Sequence, residues 1–265
     1  MKSPEDTPVY NTPAIVIRRM DYGDHDCILT FMTREKGKLT VMAKNAKKSV
    51  KRFSGVLELF YALDLVIREN KTMAYLQEAS ILEPFVGFRS DILKTAYASY
   101  WAETLIRFLE EGVRQERIYD LLFHVLSGLA SDARSPEELS IYFHLKFLEL
   151  SGHAPELAHC MACKKDLDDI DSVRILFDIK QGGLICHTCG KPSQMRSALS
   201  KGTLKQLIWF QTTEPGESSV IRFSRQSLVE SLGFLERFLA FHLDKELSSL
   251  KFLNKMRVQN ENGVL

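Results

Sequence analysis

The chain has 265 residues, of which 45% are hydrophobic and 26% are charged, and its formal net charge is +1. This composition excludes a disordered chain and is typical of a globular protein with a buried core. The near-zero charge excludes a uniformly basic nucleic-acid coat but allows a local basic patch. Residues 1–11 are polar, and no stretch is long and apolar enough to span a bilayer. We therefore expect a cytoplasmic protein without a signal peptide, whose cysteines stay reduced.

Residues 1–82 predict a small β-barrel. Five short runs rich in Ile, Val, Leu and Phe are separated by turn-forming residues, at 14–18, 27–32, 38–44, 57–68 and 73–82. In the third run Leu39, Val41 and Ala43 alternate with other side chains, which is the period of two of a half-buried strand. Five strands in about 70 residues, without a helical period, fit a closed sheet of the OB type.

Residues 83–155 and 198–265 predict the two parts of an α-helical domain, so the fold class is α+β. From about residue 89, apolar residues recur at helical spacing in three successive stripes. The third stripe follows Ser135, a suitable N-cap, and Pro136, which is favoured at the first helical position. Two later helices and a frayed tail are predicted at 204–210, 226–253 and 255–265.

Two Cys-x-x-Cys pairs lie between the third and fourth predicted helices, in a lobe assigned to residues 156–197. A spacer of 22 residues separates Cys160 and Cys163 from Cys186 and Cys189. A two-residue gap lets both thiolates of one turn bind the same ion, and four thiolates fill the coordination sphere of zinc. The pattern therefore predicts a structural zinc site without an open catalytic position.

Other interpretations of the cysteines stay open. Chance pairing, a dithiol redox motif or an iron–sulfur cluster would use the same residues. His159 and His187 adjoin the pairs and could replace a ligand, although residues in such places are more often exposed or hydrogen-bonded behind the ligands. Cys27 lies within a strand pattern and is expected to be buried.

A basic window follows the second predicted strand, with Glu35 as its only acid. A single strand of nucleic acid needs cations for its phosphates and aromatic faces for its bases. Phe53, and also Phe31, are the candidates for stacking. The candidate cations are Arg34, Lys36, Lys38, Lys44, Lys47, Lys48, Lys51 and Arg52. The alternative is a solvated charged face of the sheet.

A run of acidic residues suggests a rival function. Asp21, Asp24 and Asp26 resemble the ligands of a metal-dependent nuclease or phosphoesterase, but they also suit a turn between strands. The chain has no P-loop, no Gly-x-Gly-x-x-Gly motif and no Gly-x-Ser-x-Gly motif. The sequence therefore does not support an enzyme.

The ordered combination of several segments resembles the RecO family of recombination mediators over residues 12–253. No single motif decides the resemblance. The N-terminal segments that carry it are 14–17, 26–30, 35–37, 43–53, 55–60 and 82–83. The C-terminal segments are 149–155, which precede the first cysteine pair, and 182–186, which lead into the second.

The resemblance implies an N-terminal OB-fold domain followed by a helical domain that carries a zinc lobe. It implies a nucleoid-associated, non-catalytic protein that binds single- and double-stranded DNA and anneals complementary strands. It would help load the recombinase onto DNA covered by single-strand-binding protein, with a RecR-type partner and a contact to the C-terminal tail of that binding protein. No membrane role is implied.

Residues carried over by position extend the resemblance to sites. The four cysteines would bind zinc, and the DNA contacts would be Lys44, Lys47, Lys48, Lys51 and Arg52. The chain has Asn45, Ala46 and Lys47 where the family often has a Gly-Ala-Arg-like sequence. Lysine neutralises phosphate but lacks the planar guanidinium fork, so a non-specific electrostatic role is retained better than a geometric one. A zinc-ribbon adaptor that does not bind DNA is the remaining alternative.

Overall fold

The structure is a computed structural model, which describes residues 8–49, 53, 55–190, 196–213, 222–243 and 245–261. The predicted contacts Lys51 and Arg52 lie outside these residues. The chain divides into two compact units. The first comprises Met1–Asp132 and Leu247–Leu265, and the second comprises Ala133–Glu246.

The first unit begins with a closed five-stranded barrel. Its strands are β1 (Val9–Tyr22), β2 (Asp26–Thr33), β3 (Gly37–Ala43), β4 (Ala62–Arg68) and β5 (Ala74–Glu83). They close in the order β1-β2-β3-β5-β4, and only β3 and β5 pair in parallel. This is the five-stranded Greek-key arrangement of an OB-type barrel, so the predicted fold class is confirmed.

Alternating side chains build the barrel core. Along β3, Leu39, Val41 and Ala43 are buried, while the residues between them are only half-buried. This confirms the predicted period of two. The β3–β5 pairing is short, with Val41 opposite Ala74 and Met42 opposite Tyr75. Beyond it, the segment after the first helix lies beside β3, where the Gly112 N–H donates to the Lys38 carbonyl at 2.9 Å.

Three α-helices complete the described part of the first unit. A 3₁₀ turn (Val86–Phe88) leads into α1 (Ile92–Phe108) and α2 (Glu116–Ser131), and the chain returns at its end as α6 (Ser248–Glu261). Helix α6 packs against α1. The Ser249 N–H donates to Glu103 Oε2 at 2.7 Å, and Arg257 Nε donates to the Tyr97 hydroxyl at 2.8 Å.

The last two helices differ from the prediction. A single helix over 226–253 was expected, but α5 (Arg225–Leu243) ends before α6 begins at Ser248. The predicted frayed tail is also wrong as far as Glu261, which is helical. The apolar stripe runs through both helices, but its C-terminal part belongs to α6, which packs against α1. This tertiary contact stabilises the helix at the end of the described chain.

The second unit surrounds a small sheet with helices. After α3 (Pro136–Leu150), the strands are β6 (Glu156–Cys160), β7 (Arg174–Asp178), β8 (Gly183–Ile185) and β9 (Arg196–Ser200), in the order β6-β8-β7-β9. Helices α4 (Lys201–Thr212) and α5 follow. The cysteine lobe therefore lies between the third and fourth helices, as predicted. No helix in the described ranges is long and apolar enough to cross a membrane.

Caps and aromatic contacts hold the second unit together. Ser135 caps α3, since its side chain accepts the Glu138 N–H, as predicted. Phe177 on β7 lies 4.5 Å from the ring of Phe234 on α5, measured between centroids. Glu230 of α5 accepts hydrogen bonds from the Ser200 N–H at 2.9 Å and from the Thr203 hydroxyl at 2.8 Å. It thereby fastens α5 to the start of α4.

Candidate metal centre and nucleic-acid interface

The two cysteine pairs meet in space. The Sγ atoms of Cys160, Cys163, Cys186 and Cys189 all lie within 4.8 Å of one another. Cys163 Sγ and Cys186 Sγ are 3.8 Å apart, far longer than a disulfide bond of about 2.05 Å. A tetrahedral zinc with bonds of about 2.3 Å would separate its sulfurs by about 3.8 Å. The four thiols therefore form a cluster that could hold a metal ion of this size.

Two tight turns place the sulfurs. Cys160 ends β6, which runs parallel to β8, and Cys186 directly follows β8. The first turn closes through a 2.9 Å bond from the Lys164 N–H to the Cys160 carbonyl, with Lys164 left-handed at φ 59°. The second closes through a 2.9 Å bond from the Gly190 N–H to the Cys186 carbonyl. Each turn folds two sulfurs toward the same point.

The surroundings of the cluster shift the pKa values of two of its thiols in opposite directions. The Thr188 hydroxyl, 3.2 Å from Cys186 Sγ, lowers the pKa of Cys186 to about 6. The neighbouring sulfurs of Cys186 and Cys163 raise the pKa of Cys189 to about 12. Four thiolates this close would repel one another, and a divalent cation bound between them would supply the counter-charge.

Neither neighbouring histidine is placed as a fifth member of the sulfur cluster. His159 Nε2 lies 2.8 Å from Asp166 Oδ1, and its Nδ1 lies 3.5 Å from Glu156 Oε1. His187 is exposed. Because both nitrogens of His159 face carboxylates, it is not positioned to replace a sulfur.

The structure separates the basic window into two groups at opposite ends of β3. The strand has seven residues, so the groups are about 20 Å apart. At its start, Arg34 Nε lies 3.4 Å from Asp120 Oδ1, and the Lys36 ammonium lies 5.0 Å from the centre of the Tyr10 ring. Lys38 Nζ donates to the Ile106 carbonyl at 2.8 Å. Each of these cations has a partner within the fold.

The second group follows the end of β3. Lys44, Lys47 and Lys48 are all exposed. The Lys44 ammonium lies 4.9 Å from the centre of the Tyr75 ring, and Lys47 Nζ lies 3.0 Å from Asp21 Oδ2. The Lys48 side chain forms no ion pair with any residue that the structure describes. This end of the barrel therefore presents cations to solvent.

Both aromatic candidates are interior residues. Phe53 is 4% exposed and Phe31 is fully buried, and both belong to the hydrophobic core of the barrel. A buried ring has no free face for a base. The stacking role predicted for them thus has no support in this structure.

Sequence reasoning missed a group beside Lys44. Arg68 ends β4, Tyr75 lies near the start of β5, and the exposed turn between the strands contains Asn70 and Lys71. These residues are 24 to 31 positions from Lys44 in the sequence, and the parallel β3–β5 pairing brings them together. The sequence did carry one signal for these residues, which is the alternation of inward and outward side chains along each strand. Arg68 and Tyr75 occupy positions that alternate with buried residues.

The three aspartates of the rival nuclease hypothesis do not form a metal-binding cluster. Asp21 pairs with Lys47, which lowers the pKa of Asp21, and Asp26 Oδ1 accepts the Asn45 N–H at 2.7 Å. Among the residues placed by the structure, the four cysteines form the only cluster of at least three metal-ligating side chains. Asp21 therefore acts as an ion-pair partner and Asp26 as a turn partner.

Comparisons with known proteins cover almost the whole chain. The family described as Recombination protein O N terminal matches residues 8–85, and Recombination protein O C terminal matches residues 89–251. The relative named DNA repair protein RecO from Desulfosudis oleivorans is 40% identical over 257 residues, covering 94% of this chain and 99% of the relative. Proteins of the same name are 39% identical in Desulfatibacillum aliphaticivorans, covering 94% and 98%, and 28% identical in Bacillus subtilis, covering 91% and 92%. The chain belongs to the RecO family of DNA repair proteins.

Proposed function

We propose that the protein binds single- and double-stranded DNA through the basic end of its barrel and anneals complementary strands. The observation that supports this most is the exposed group Lys44, Lys47 and Lys48 at one end of an OB-type barrel, in a chain whose relatives are named DNA repair proteins. The loops of such barrels commonly bind oligonucleotides. Arg68 and Lys71 add two exposed cations to the same end.

Annealing requires a surface that neutralises two phosphate backbones without reading bases. Lysines suit this role because a flexible ammonium pairs with phosphate in many geometries. Binding then releases counterions, so affinity falls steeply with salt and depends little on sequence. The proposed role is non-catalytic, since the barrel would act by bringing strands together.

We propose zinc as the ion of the four-cysteine cluster, held by Cys160, Cys163, Cys186 and Cys189. The sulfur separation and the all-thiolate donor set fit zinc, and four protein ligands would leave no position for a reacting water. Its role would be to hold the two turns of the lobe together. Metal analysis of purified protein tests the assignment. One zinc per chain would support the assignment. Iron with visible charge-transfer absorption would instead identify the site as an iron–sulfur cluster.

The family also suggests partners. We propose that the protein works at the nucleoid with a RecR-type partner and contacts the C-terminal tail of single-strand-binding protein. It would thereby help load the recombinase onto DNA that this protein covers. Co-sedimentation with each purified partner, and recombinase loading on covered single strands, test these steps separately.

The central experiment measures DNA binding and annealing across a salt series. A Lys47→Glu, Lys48→Glu variant should bind and anneal more weakly than wild type, most clearly at low salt. A Lys251→Glu, Lys255→Glu variant is the matched control, because it changes the net charge equally on exposed positions of α6. Annealing by the first variant at the wild-type rate would refute the assignment. Salt-insensitive or absent binding by wild type would favour the adaptor, and Mg²⁺-dependent cleavage of labelled strands would favour the nuclease.

A further inference from the structure

A cavity opens on the outer wall of the barrel beside the loop between β4 and β5. It has a volume of about 320 Å³, within the range of roughly 300–1,000 Å³ typical of small-ligand sites. Its wall is made by the ends of three adjacent strands. The lining residues are Lys44, Arg68, Asn70, Tyr75, Leu76 and Gln77.

The alternation of side chains along each strand explains why Arg68, Tyr75 and Gln77 share one surface. In β5, Ala74 and Leu76 are buried, so Tyr75 and Gln77 face outward. In β4, Ile67 is buried and Arg68 is exposed. Because Arg68 lies opposite Tyr75 in the β4–β5 pair, the two side chains emerge on the same face of the sheet. Lys44 directly follows β3, and its ammonium lies 4.9 Å from the centre of the Tyr75 ring.

The chemistry of this wall matches a nucleotide. A half-exposed aromatic ring offers a face for a base, and two cations flank the ring for its phosphates. Asn70 and Gln77 carry amides that both donate and accept hydrogen bonds, as base edges require. The Lys44 stem is flexible, so its ammonium can move from the ring to a phosphate and uncover the ring face.

We propose that this cavity holds one unpaired nucleotide of a DNA single strand, with its base stacked on Tyr75 and its phosphates paired with Lys44 and Arg68. The inference rests on the proposed DNA binding and adds a site that distinguishes single strands from duplexes. A base within a duplex is stacked on its neighbours and cannot reach the ring, whereas the cations serve both forms. The site would hold an unpaired base of one strand until the complementary strand pairs with it.

Substitutions of Tyr75 separate stacking from charge. Tyr75→Leu keeps an apolar side chain and the charge but removes the ring, and Tyr75→Phe keeps the ring. We expect Tyr75→Leu to weaken single-strand binding by about 5-fold to 150-fold and to leave duplex binding unchanged. Tyr75→Phe should bind both forms like wild type. Equal single-strand affinities of wild type and Tyr75→Leu would overturn the proposal, as would equal losses for single strands and duplex.

A second measurement on wild type avoids the risk that Tyr75→Leu folds poorly. A single strand that carries 5-iodouracil couples on irradiation to an aromatic side chain stacked on the base. The expected crosslink lies in the tryptic peptide 72–89 at Tyr75, and a crosslink confined to other peptides would refute the site. If Tyr75→Leu weakens binding of a carboxylate-rich peptide but not of single-stranded DNA, the proposal is overturned and the cavity is assigned to acidic peptides instead.

The results keep the two proposals apart. If wild type does not bind single strands, the proposed function fails. If wild type binds, and Lys47→Glu, Lys48→Glu weakens binding while Tyr75→Leu does not, the basic surface stands and the nucleotide cavity falls.

Discussion

Two lysines of the basic window have different roles in this structure, and substitutions should separate them. Lys38 Nζ donates to the carbonyl of Ile106, in the last turn of α1, at 2.8 Å. A cation there also compensates the negative end of the helix dipole. The Lys48 side chain is exposed and forms no ion pair within the described part of the chain. Lys38→Ala should therefore affect folding, and Lys48→Ala should affect DNA binding.

The magnitudes follow from this difference. One phosphate contact on a single strand contributes about 0.7 to the slope of log affinity against log salt, so Lys48→Ala should reduce the slope by about 0.7. At an ionic strength of about 0.15 M this is a loss of about fourfold in affinity. Lys38→Ala removes a charged hydrogen bond at a partly exposed site and should lower the free energy of unfolding by about 1–2 kcal/mol.

Fluorescence anisotropy of a labelled single strand at several salt concentrations gives the slopes, and denaturant titration gives the stabilities. We expect the Lys48→Ala variant to unfold like wild type and the Lys38→Ala variant to keep the wild-type slope. If Lys38→Ala reduces the slope as much as Lys48→Ala does, Lys38 binds DNA despite its hydrogen bond to α1. The division of the basic window into two groups at β3 would then be wrong.

Three further predictions test the second unit and the barrel. Cys186→Ser should reduce bound zinc from one equivalent per chain to a small fraction, measured by mass spectrometry of the metal. Although burial opposes it, hydrogen bonds lower the pKa of Glu230 from 4.5 to about 2; this contribution to stability is present above pH 4.5 and is lost as the pH falls through 2. Glu230→Gln should thus lower the free energy of unfolding by about 2 kcal/mol at pH 7, with a difference from wild type that narrows in acid. Gly37→Ala would place a Cβ 1.8 Å from the Val113 carbonyl oxygen at φ +65°, so it should destabilise by several kcal/mol in thermal melts, whereas Gly55→Ala at φ +69° has open space and should cost about 1–2 kcal/mol.

Local patterns in the sequence predicted the elements whose signals are themselves local. The alternation in β3 and the Ser135 cap depend on neighbouring residues, and the structure confirms both. The break between α5 and α6 was missed because an apolar stripe does not show where a helix turns back. The contact that supports α6 joins Ser249 to Glu103, which are 146 residues apart. No local period contains that information.

The cysteine cluster was predictable for a related reason. Each Cys-x-x-Cys pair is a local turn, and only the meeting of the two turns is non-local. The donor type restricts the outcome, because four thiolates directed at one point match the tetrahedral coordination of a single cation.

The basic window illustrates the opposite case, in which residues close in sequence do different things. A strand of seven residues divides its described part. Three cations contact groups of the fold at the start of this strand, and three exposed lysines, Lys44, Lys47 and Lys48, follow its end. The cations that complete the exposed surface, Arg68 and Lys71, come from another hairpin. The barrel pairing that assembles them also brings Tyr75 beside Lys44. The proposed DNA surface depends on strand order, so a substitution that disturbs the β3–β5 pairing should weaken DNA binding even when every lysine is kept.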